Sequence, residues 1–337
     1  MKVFISGYGG GDTNSIGLYD LGNGGNERIL LWKSNDDKDS NIEASSFLSI
    51  HENLLFGITE KQEGSSVHMF STQDNTYQLL ESSELKGDML CHISYLPKNK
   101  ILVGGCYGSG DVFSIEVGKD GFGKLLSHLT QKGDVQRQTR AHCVVSDQQE
   151  RRLYSANIAL DRVYFYNICK GNLIEDGYLQ LDKGEGPRHI ILYPELDLMY
   201  IITEYSNKII IVDIGKEKSR IVQKISTLPK AFNGESYCST LCITKDRRFL
   251  YGANRGANTI GVFKVGEDGL LEMIGNQECF GDWPRHIELL GDDDYIAIAN
   301  QKSNEVAIAK RDKTTGLITD EVYRIEFPSP SFVQEKV

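Results

Sequence analysis

The chain has 337 residues, of which 40% are hydrophobic and 25% are charged, a composition typical of soluble globular proteins. Its net charge of −10, without any lysine- or arginine-rich run, argues against nucleic acid and anionic membranes as partners. No apolar run approaches the length of a membrane span and the first residues do not resemble a signal peptide, so we expect a cytoplasmic protein.

Strand-like runs fill the chain from its first residues onward, and seven stretches share an apolar run, a polar corner and a second apolar run. The corners recur roughly every 50 residues, the length of a four-stranded sheet repeat. The corner residues are Gly7, Thr59, Cys106, Asn157, Thr203, Asn254 and Asn300. Small sheets cannot bury both faces alone, so successive sheets must stack. The repeat therefore predicts an all-β, seven-bladed propeller of four-stranded blades, in a single domain over residues 1–337.

Both ends of the chain contribute to one predicted blade. Six of the seven stretches follow another short strand, whereas the first stretch begins at Met1 without one. Near the other end, PSPSFVQ at 328–334 resembles ASSFLSI at 44–50, the segment that precedes the second stretch. We therefore expect Phe332 and Val333 to supply the missing inner strand of the first blade and to close the ring.

Polar residues recur at one register of the predicted inner strands. This register, about eleven residues upstream of the apolar positions near each corner, holds Ser45, His92, His142, His189, Thr240 and His286. The start of a first strand and the end of an antiparallel second strand lie at the same edge of a sheet. The register residues and the residues that follow the corners should therefore share one face of the propeller.

Charged and aromatic side chains cluster at the same predicted face. Arg188 and Arg285 each directly precede a register histidine, and Arg140 lies two residues before His142. The residues after the corners include Glu60, Tyr107, Glu204, Arg255 and Gln301. Guanidinium groups bind carboxylate and phosphate bidentately, so this set predicts a binding site for a small anionic ligand.

Structural roles remain open for each of these residues. Polar residues at strand starts can join blades through hydrogen bonds to the backbone, most of all His92, and Glu60 and Gln301 fit a solvated rim. The arginines, histidines and glutamate can also neutralise one another in a structural network. A metal is disfavoured because the neighbouring arginines would repel a cation, and the seven cysteines contain no CxxC pair.

Four segments resemble the family of lactonases that includes the bacterial-type 6-phosphogluconolactonases. They are GEGPRHIILYPELDLMYIITE at 184–204, LYGANRGANTIGVF at 250–263, GDWPRHIELL with the following IAIANQKSNEVAIAKRDKTTGLI, and RAHCVVSDQQERRLYSANIALDRVYFY at 140–166. Together the similarity covers nearly the whole chain. Where the family pattern has His-x-His, however, this chain has Arg140-Ala141-His142, and Thr203 replaces the usual Asn before Glu204.

The resemblance implies a seven-bladed propeller and an enzyme that needs no metal or cofactor. Family members include 6-phosphogluconolactonase, of the oxidative pentose phosphate pathway, and fungal carboxymuconate-lactonising enzymes. Carried over by motif, the catalytic residues are His142, Arg188, Glu204 and Arg255, with His189 and Arg285 close by. Arg140, His189, Arg285, His286, Tyr107, Glu60 and Gln301 are the predicted substrate-binding residues.

Three functions follow from these observations. The leading hypothesis is hydrolysis of an anionic sugar lactone, in which Arg188, Arg285 and Arg140 hold the anion. Arg255 would then stabilise the oxyanion, and His142 or Glu204 would act as general base. The alternatives are a lactonising isomerase of carboxylated muconates and a non-catalytic scaffold that binds a protein or a sugar acid.

Overall fold

The computed structural model describes residues 1–9, 15–22, 28–34, 42–73, 76–133, 138–215 and 218–336, without the side chains of 320–322. Two compact units divide the chain: Met1–Lys33 with Arg188–Val337, and Ser34–Pro187. The single domain over residues 1–337 stays a prediction. In the part of the chain described, no helix has the length and hydrophobicity needed to cross a bilayer.

The first unit contains four antiparallel four-stranded sheets, named sheets 1, 5, 6 and 7. Sheet 1 holds β1 (Lys2–Gly7), β2 (Ile16–Asp20), β3 (Ile29–Lys33) and β28 (Pro330–Glu335). Sheet 5 holds β16 (Pro187–Tyr193), β17 (Leu198–Thr203), β18 (Lys208–Asp213) and β19 (Arg220–Ser226). Sheet 6 holds β20 (Tyr237–Ile243), β21 (Phe249–Arg255), β22 (Thr259–Val265) and β23 (Leu271–Glu278). Sheet 7 holds β24 (Pro284–Leu290), β25 (Tyr295–Asn300), β26 (Glu305–Arg311) and β27 (Ile318–Glu326).

The second unit contains the three remaining four-stranded sheets, named sheets 2, 3 and 4. Sheet 2 holds β4 (Leu48–His51), β5 (Leu54–Thr59), β6 (Ser66–Ser71) and β7 (Gln78–Glu84). Sheet 3 holds β8 (Leu90–Leu96), β9 (Ile101–Cys106), β10 (Asp111–Val117) and β11 (Phe122–Thr130). Sheet 4 holds β12 (Ala141–Ser146), β13 (Arg152–Asn157), β14 (Arg162–Cys169) and β15 (Asn172–Gln180). The seven four-stranded sheets predicted from the repeat are thus confirmed.

The predicted corners coincide with strand ends. Gly7, Thr59, Cys106, Asn157, Thr203 and Asn300 are the last residues of the second strands of their blades, and Asn254 lies one residue before the end of β21. The repeat was detectable because each corner interrupts two apolar runs whose residues are buried on both faces. Strands buried on both faces form nearly continuous hydrophobic runs.

The inner strand of sheet 1 comes from the far end of the chain, as predicted. β28 pairs antiparallel with β1, and the sheet order is β28-β1-β2-β3. Val333 lies opposite Ile5, and Phe332 lies opposite Ser6. Val333 and Ile5 are fully buried, so this pairing also contributes to the core.

Neighbouring sheets pack through apolar side chains within each unit. In the first unit, Tyr251 and Ile260 of sheet 6 pack with Ile296 and Ile298 of sheet 7. In the second unit, Phe56 of sheet 2 packs in one cluster with Leu102 and Phe113 of sheet 3. Burying one such side chain contributes about 1.5–3 kcal/mol. These contacts hold the inner strands side by side, with β24 against both β20 and β28, and β8 against both β4 and β12.

An irregularity recurs near the start of the inner strands. The register shifts between Leu90 and His92 in β8, between Ala141 and Val144 in β12, between Cys238 and Leu241 in β20, and between Pro284 and His286 in β24. Bulges re-aim side chains and are common next to active sites. These register shifts lie at or next to the inner-strand positions where the sequence has histidine or threonine.

Candidate active site

One cluster in the first unit joins three of the predicted site residues. Arg188 is the second residue of β16, Glu204 directly follows β17, and Arg255 ends β21. Arg188 Nε lies 3.1 Å and Arg255 Nη2 lies 2.9 Å from the same oxygen, Glu204 Oε2. The antiparallel hairpin of β16 and β17 thus returns Glu204 to the edge where Arg188 begins, and the next sheet supplies the second arginine.

Backbone carbonyls of β20 hold both guanidinium groups in place. Arg188 Nη1 donates to Ser239 O. Arg255 donates from Nε to Tyr237 O at 3.2 Å and from Nη2 to Cys238 O at 2.9 Å. Both arginine side chains are buried, so their donors point in fixed directions. Fixed donors cost little reorganisation when charge develops on a bound substrate.

Burial and neighbouring charges act against each other at Arg255. Burial lowers the pKa of Arg255 below its ordinary value, Glu204 opposes this shift, and the charge of Arg285 adds to it. Arg255 still remains a cation because an arginine pKa lies far above neutrality. Glu204 is therefore the partner that makes a buried guanidinium tolerable.

Glu204 has one occupied and one open oxygen. Oε2 contacts both guanidinium groups, whereas no described residue donates a hydrogen bond to Oε1. The Glu204 side chain is 14% exposed, so it is not sealed off from water or a ligand. A carboxylate fixed at one oxygen and accessible at the other has the geometry of a general base.

Arg285 lies against an aromatic side chain of sheet 1. Its guanidinium carbon is 5.1 Å from the centroid of the Tyr8 ring, and Nη2 donates to the Tyr8 hydroxyl. Its charge also lowers the pKa of Arg255, so it belongs to the same electrostatic environment. The sequence identified Arg285 from the Pro-Arg-His triplet but gave no indication of Tyr8.

Two register histidines in the first unit join neighbouring strands. His189 Nδ1 lies 3.0 Å from Thr240 Oγ1, and the Val333 N–H donates to His286 Nδ1 at 3.4 Å. Burial, reinforced by the charge of Arg188, lowers the pKa of His286 to about 3, against the opposing effect of the Val333 hydrogen bond. His286 is thus neutral near pH 7, as an acceptor must be. These contacts support the structural reading of both histidines, and their substrate-binding role stays a prediction.

The second unit brings three further predicted residues together. Arg140 Nη1 donates to the Tyr107 hydroxyl at 2.6 Å, and its guanidinium lies over the Tyr107 ring at 4.8 Å. The edge of His142 meets the same ring, with centroids 6.3 Å apart at 90°. Gly105 permits this arrangement because a Cβ there would clash with His142 O.

His92, Glu60 and Gln301 occupy more ordinary positions. The Val144 N–H donates to His92 Nδ1 at 3.4 Å, and the His92 ring lies 4.1 Å from that of Phe47, so His92 joins neighbouring strands as the structural reading predicts. The Glu60 N–H donates to Ala44 O, and the Gln301 N–H donates to Trp283 O. Both side chains are half-buried, and their binding roles stay predictions.

Sequence reasoning missed the aromatic and cationic residues beside Arg255. Trp283 lies 5.6 Å from the Arg255 guanidinium and 6.3 Å from the Tyr237 ring, and Lys302 Nζ lies 3.5 Å from the Trp283 centroid. Trp283 directly precedes the Pro-Arg-His triplet and Lys302 follows the Asn-Gln corner. Those positions were the available signal.

Neither thiols nor a metal cluster stand out as chemistry-bearing groups. All seven cysteines are free and only Cys169 is exposed, and burial raises the pKa of Cys238 to about 12. Among the described residues, no group of three or more His, Cys, Asp and Glu side chains is arranged to hold a metal ion.

Known proteins identify the family to which this chain belongs. The sequence model of the family described as "Lactonase, 7-bladed beta-propeller" matches residues 2–335. The chain belongs to the lactonase family of seven-bladed β-propellers. A 6-phosphogluconolactonase from Bacillus subtilis is 27% identical over an alignment of 341 residues, which covers 95% of this chain and 97% of the relative. This lactonase is therefore a lactone hydrolase by class.

Solved structures share the fold over almost all of this lactonase. The Pseudomonas aeruginosa periplasmic gluconolactonase matches with a TM-score of 0.90 at 20% identity, covering 99% of this chain and 98% of that one. A protein from Lactobacillus plantarum matches with a TM-score of 0.88 at 20% identity and the same coverage. The predicted propeller fold is confirmed, while the cytoplasmic location stays a prediction.

Proposed function

We propose that the protein hydrolyses an anionic sugar lactone, 6-phosphogluconolactone, to the open acid 6-phosphogluconate. Membership of the lactonase family and the 6-phosphogluconolactonase from Bacillus subtilis support the reaction class. The observation that carries the mechanism is Glu204, held at Oε2 by Arg188 and Arg255 and open at Oε1.

Glu204 is the proposed general base. Its Oε1 takes a proton from water while the water oxygen bonds to the lactone carbonyl carbon. The ring C–O bond of the tetrahedral intermediate then breaks, and the leaving ring oxygen receives the proton that Glu204 took from water, which gives the hydroxy acid and restores the Glu204 carboxylate. General acid–base catalysis of this kind contributes typically 10²–10⁴-fold to a rate.

Arg255 and Arg188 are the proposed electrostatic groups. As the tetrahedral intermediate forms, negative charge develops on the former carbonyl oxygen. The carbonyl oxygens of Tyr237, Cys238 and Ser239 orient the guanidinium groups. These groups can therefore stabilise the developing negative charge with little movement. Arg285, whose guanidinium lies against Tyr8, is the proposed clamp for the anionic part of the substrate.

His142 is the rival candidate for the base, on the strength of its motif. It is buried in the second unit beside Tyr107, and Arg140 contacts the same tyrosine. Glu204 is preferred because its partners contact one oxygen and leave the other without a hydrogen-bond donor among the described residues.

The test is hydrolysis of 6-phosphogluconolactone, followed by product formation and corrected for the spontaneous reaction. The wild type should accelerate the reaction. Glu204→Gln should lower kcat at least ~100-fold, whereas His142→Gln should change kcat less than ~10-fold. The opposite ranking would make His142 the base, and a wild type without acceleration would refute the proposed function.

The other two functions of the sequence analysis are separated by simple observations. A muconate lactonising enzyme would use the same guanidiniums for carboxylates, so purified protein incubated with a carboxymuconate would form a lactone. Membership of a family of lactone hydrolases disfavours the scaffold hypothesis, although function does not follow from a fold alone.

A further inference from the structure

The segment before the Pro-Arg-His triplet of sheet 7 adopts an unusual backbone conformation. Phe280 has φ +58° and Trp283 has φ +67°, both in the left-handed region. Bulky residues rarely adopt this region, and strain of this kind clusters at active sites and ligand clamps. A tryptophan held there merits a functional explanation.

Hydrogen bonds from two corners hold Trp283 in place. The Trp283 N–H donates to Asn258 Oδ1 at 2.9 Å, and the Gln301 N–H donates to Trp283 O at 3.1 Å. The preceding Asp282 N–H donates to Ser303 Oγ at 2.6 Å. Residues in the corners after β21 and β25 therefore hold the Trp283 backbone in a conformation that tryptophan rarely adopts, and this fixes the position of the indole ring.

Two cationic side chains lie against the Trp283 indole. Lys302 Nζ lies 3.5 Å from the ring centroid and the Arg255 guanidinium carbon lies 5.6 Å from it, distances typical of cation–π contacts. Lys302 is exposed, and no described carboxylate lies within ion-pair distance of its ammonium. By contrast, Lys313 Nζ lies 2.9 Å from Asp294 Oδ1. The Lys302 ammonium is therefore positioned by the ring and available to an anion.

Arg255 and Lys302 differ in what they can offer a ligand. Arg255 is buried against Glu204 and two backbone carbonyls, whereas Lys302 projects to solvent from the same ring. A lysine ammonium binds phosphate as a point charge. The Arg255 guanidinium carbon and Lys302 Nζ lie 5.6 Å and 3.5 Å from one ring centroid, so a sugar-sized ligand whose reacting end is near Arg255 can bring its phosphate within reach of Lys302. Lys302 would then add to the clamp proposed for Arg285.

We propose that Lys302, seated on Trp283, selects a phosphorylated sugar lactone over its unphosphorylated counterpart. The inference rests on the proposed function, because it names the substrate class for the same site. A phosphate ester carries nearly two negative charges near neutral pH, while the corresponding hydroxyl carries none. Lys302 therefore contributes to one substrate and not to the other.

The experiment compares wild type, Lys302→Met and Lys313→Met on 6-phosphogluconolactone and glucono-δ-lactone. Methionine keeps the unbranched side chain and removes the charge. Lys302→Met should raise KM for the phosphorylated lactone at least ~10-fold, leave its kcat within ~2-fold and leave the unphosphorylated lactone unchanged, a loss equivalent to ~1.4 kcal/mol. Lys313→Met should change neither substrate. Equal effects of Lys302→Met on both lactones, or none on either, would overturn the proposal.

A binding measurement separates this inference from the proposed function. Calorimetric titration with 6-phosphogluconate and gluconate needs no turnover. Affinity for 6-phosphogluconate alone should fall at least ~10-fold in Lys302→Met, and added salt should reduce the difference. If the wild type hydrolyses the lactone and both proteins bind 6-phosphogluconate equally, the inference fails and the function stands. If neither lactone is hydrolysed but binding depends on Lys302, the function fails and the inference stands.

Discussion

Arg188 contacts two acceptors that lie in different directions. Its Nε faces Glu204 Oε2, and its Nη1 donates to Ser239 O. A planar guanidinium can place one nitrogen beside the carboxylate while another donates to the carbonyl, whereas a lysine ammonium on a flexible stem does not reproduce that fork. The shape of the arginine therefore matters as well as its charge.

Replacing Arg188 by lysine tests this point. We expect Arg188→Lys to lower kcat/KM for 6-phosphogluconolactone by ~10–100-fold, because charge remains but one directed contact is lost. Arg188→Ala should lose more, mainly through substrate binding. Steady-state kinetics measure both effects. Arg152→Lys is the matched control, because Arg152 makes an exposed ion pair with Asp176 at 3.4 Å, and its kinetics should match wild type. A fully active Arg188→Lys would show that charge alone suffices.

Individual residues differ in how far sequence could place them. The proximity of Glu204 to Arg188 was predictable because antiparallel pairing determines which strand ends meet. The direction of His286 was not predictable in this way, since the register shift between Pro284 and His286 at the start of β24 re-aims the side chain. Trp283 was missed because its left-handed backbone opposes its own preference and depends on partners from distant corners.

At the scale of elements, β28 is the strand whose position depends most on distant sequence. It forms the inner edge of sheet 1, where Val333 lies opposite Ile5 and in one apolar cluster with Val3 and Leu290. Val333 is fully buried. The strand therefore secures sheet 1 and its contact with sheet 7.

A charge in β28 should disrupt this packing. Val333→Asp buries a carboxylate among apolar groups, so the free energy of unfolding should fall by more than ~3 kcal/mol. Urea denaturation measures the change. Gln334→Asp is the control at the adjacent, half-buried position and should lower the free energy of unfolding by less than ~1 kcal/mol. Equal denaturation midpoints for the two variants would contradict the assigned pairing.

The first three strands of each blade, counted from the inner edge, were predictable from the sequence, whereas the outermost strands were not. Second and third strands are buried on both faces and form apolar runs that sequence detects readily. Outer strands such as β3 and β7 are half exposed and mix apolar with polar residues in weak patterns. In β3, Ile29, Leu30 and Leu31 are all exposed, so hydrophobicity would have misplaced them in the core.

At the scale of the whole molecule, the repeat predicted the fold class because every sheet must bury its apolar faces against neighbouring sheets and therefore has a similar pattern of apolar runs. The number of corner residues gives the number of sheets, even though the contacts between sheets are not visible in the sequence. The division into two compact units was not predicted, since it depends on how densely neighbouring sheets touch. Local sequence patterns do not encode that quantity.

Glu288 links the stability of the fold to pH. Burial, followed by the charges of Glu335 and Asp293, raises the pKa of Glu288 from 4.5 to about 8. Between these values the folded chain holds a proton that the unfolded chain releases, so the free energy of unfolding falls as pH rises through this window. The contribution of Glu288 to the free energy of unfolding is therefore greatest below pH 4.5 and is lost as the pH rises through about 8.

Glu288→Gln should remove this dependence because the amide does not titrate. Relative to wild type, the variant should gain ~1 kcal/mol or more in the free energy of unfolding between pH 5 and pH 8.5. Chemical denaturation at several pH values measures the difference. Glu326→Gln, a control outside this group, should follow the wild-type profile. Parallel profiles for wild type and Glu288→Gln would show that Glu288 ionises normally.

The pairing of β28 with β1 also orders events during synthesis. Every other described strand leaves the ribosome before β28, so nascent sheet 1 has three strands and an uncovered backbone edge until translation reaches Pro330. A message cut short, or a stalled ribosome, yields a polypeptide with that edge exposed, the kind of surface that chaperones and proteases recognise. The backbone edge of β1 is therefore covered only after β28 has been synthesised.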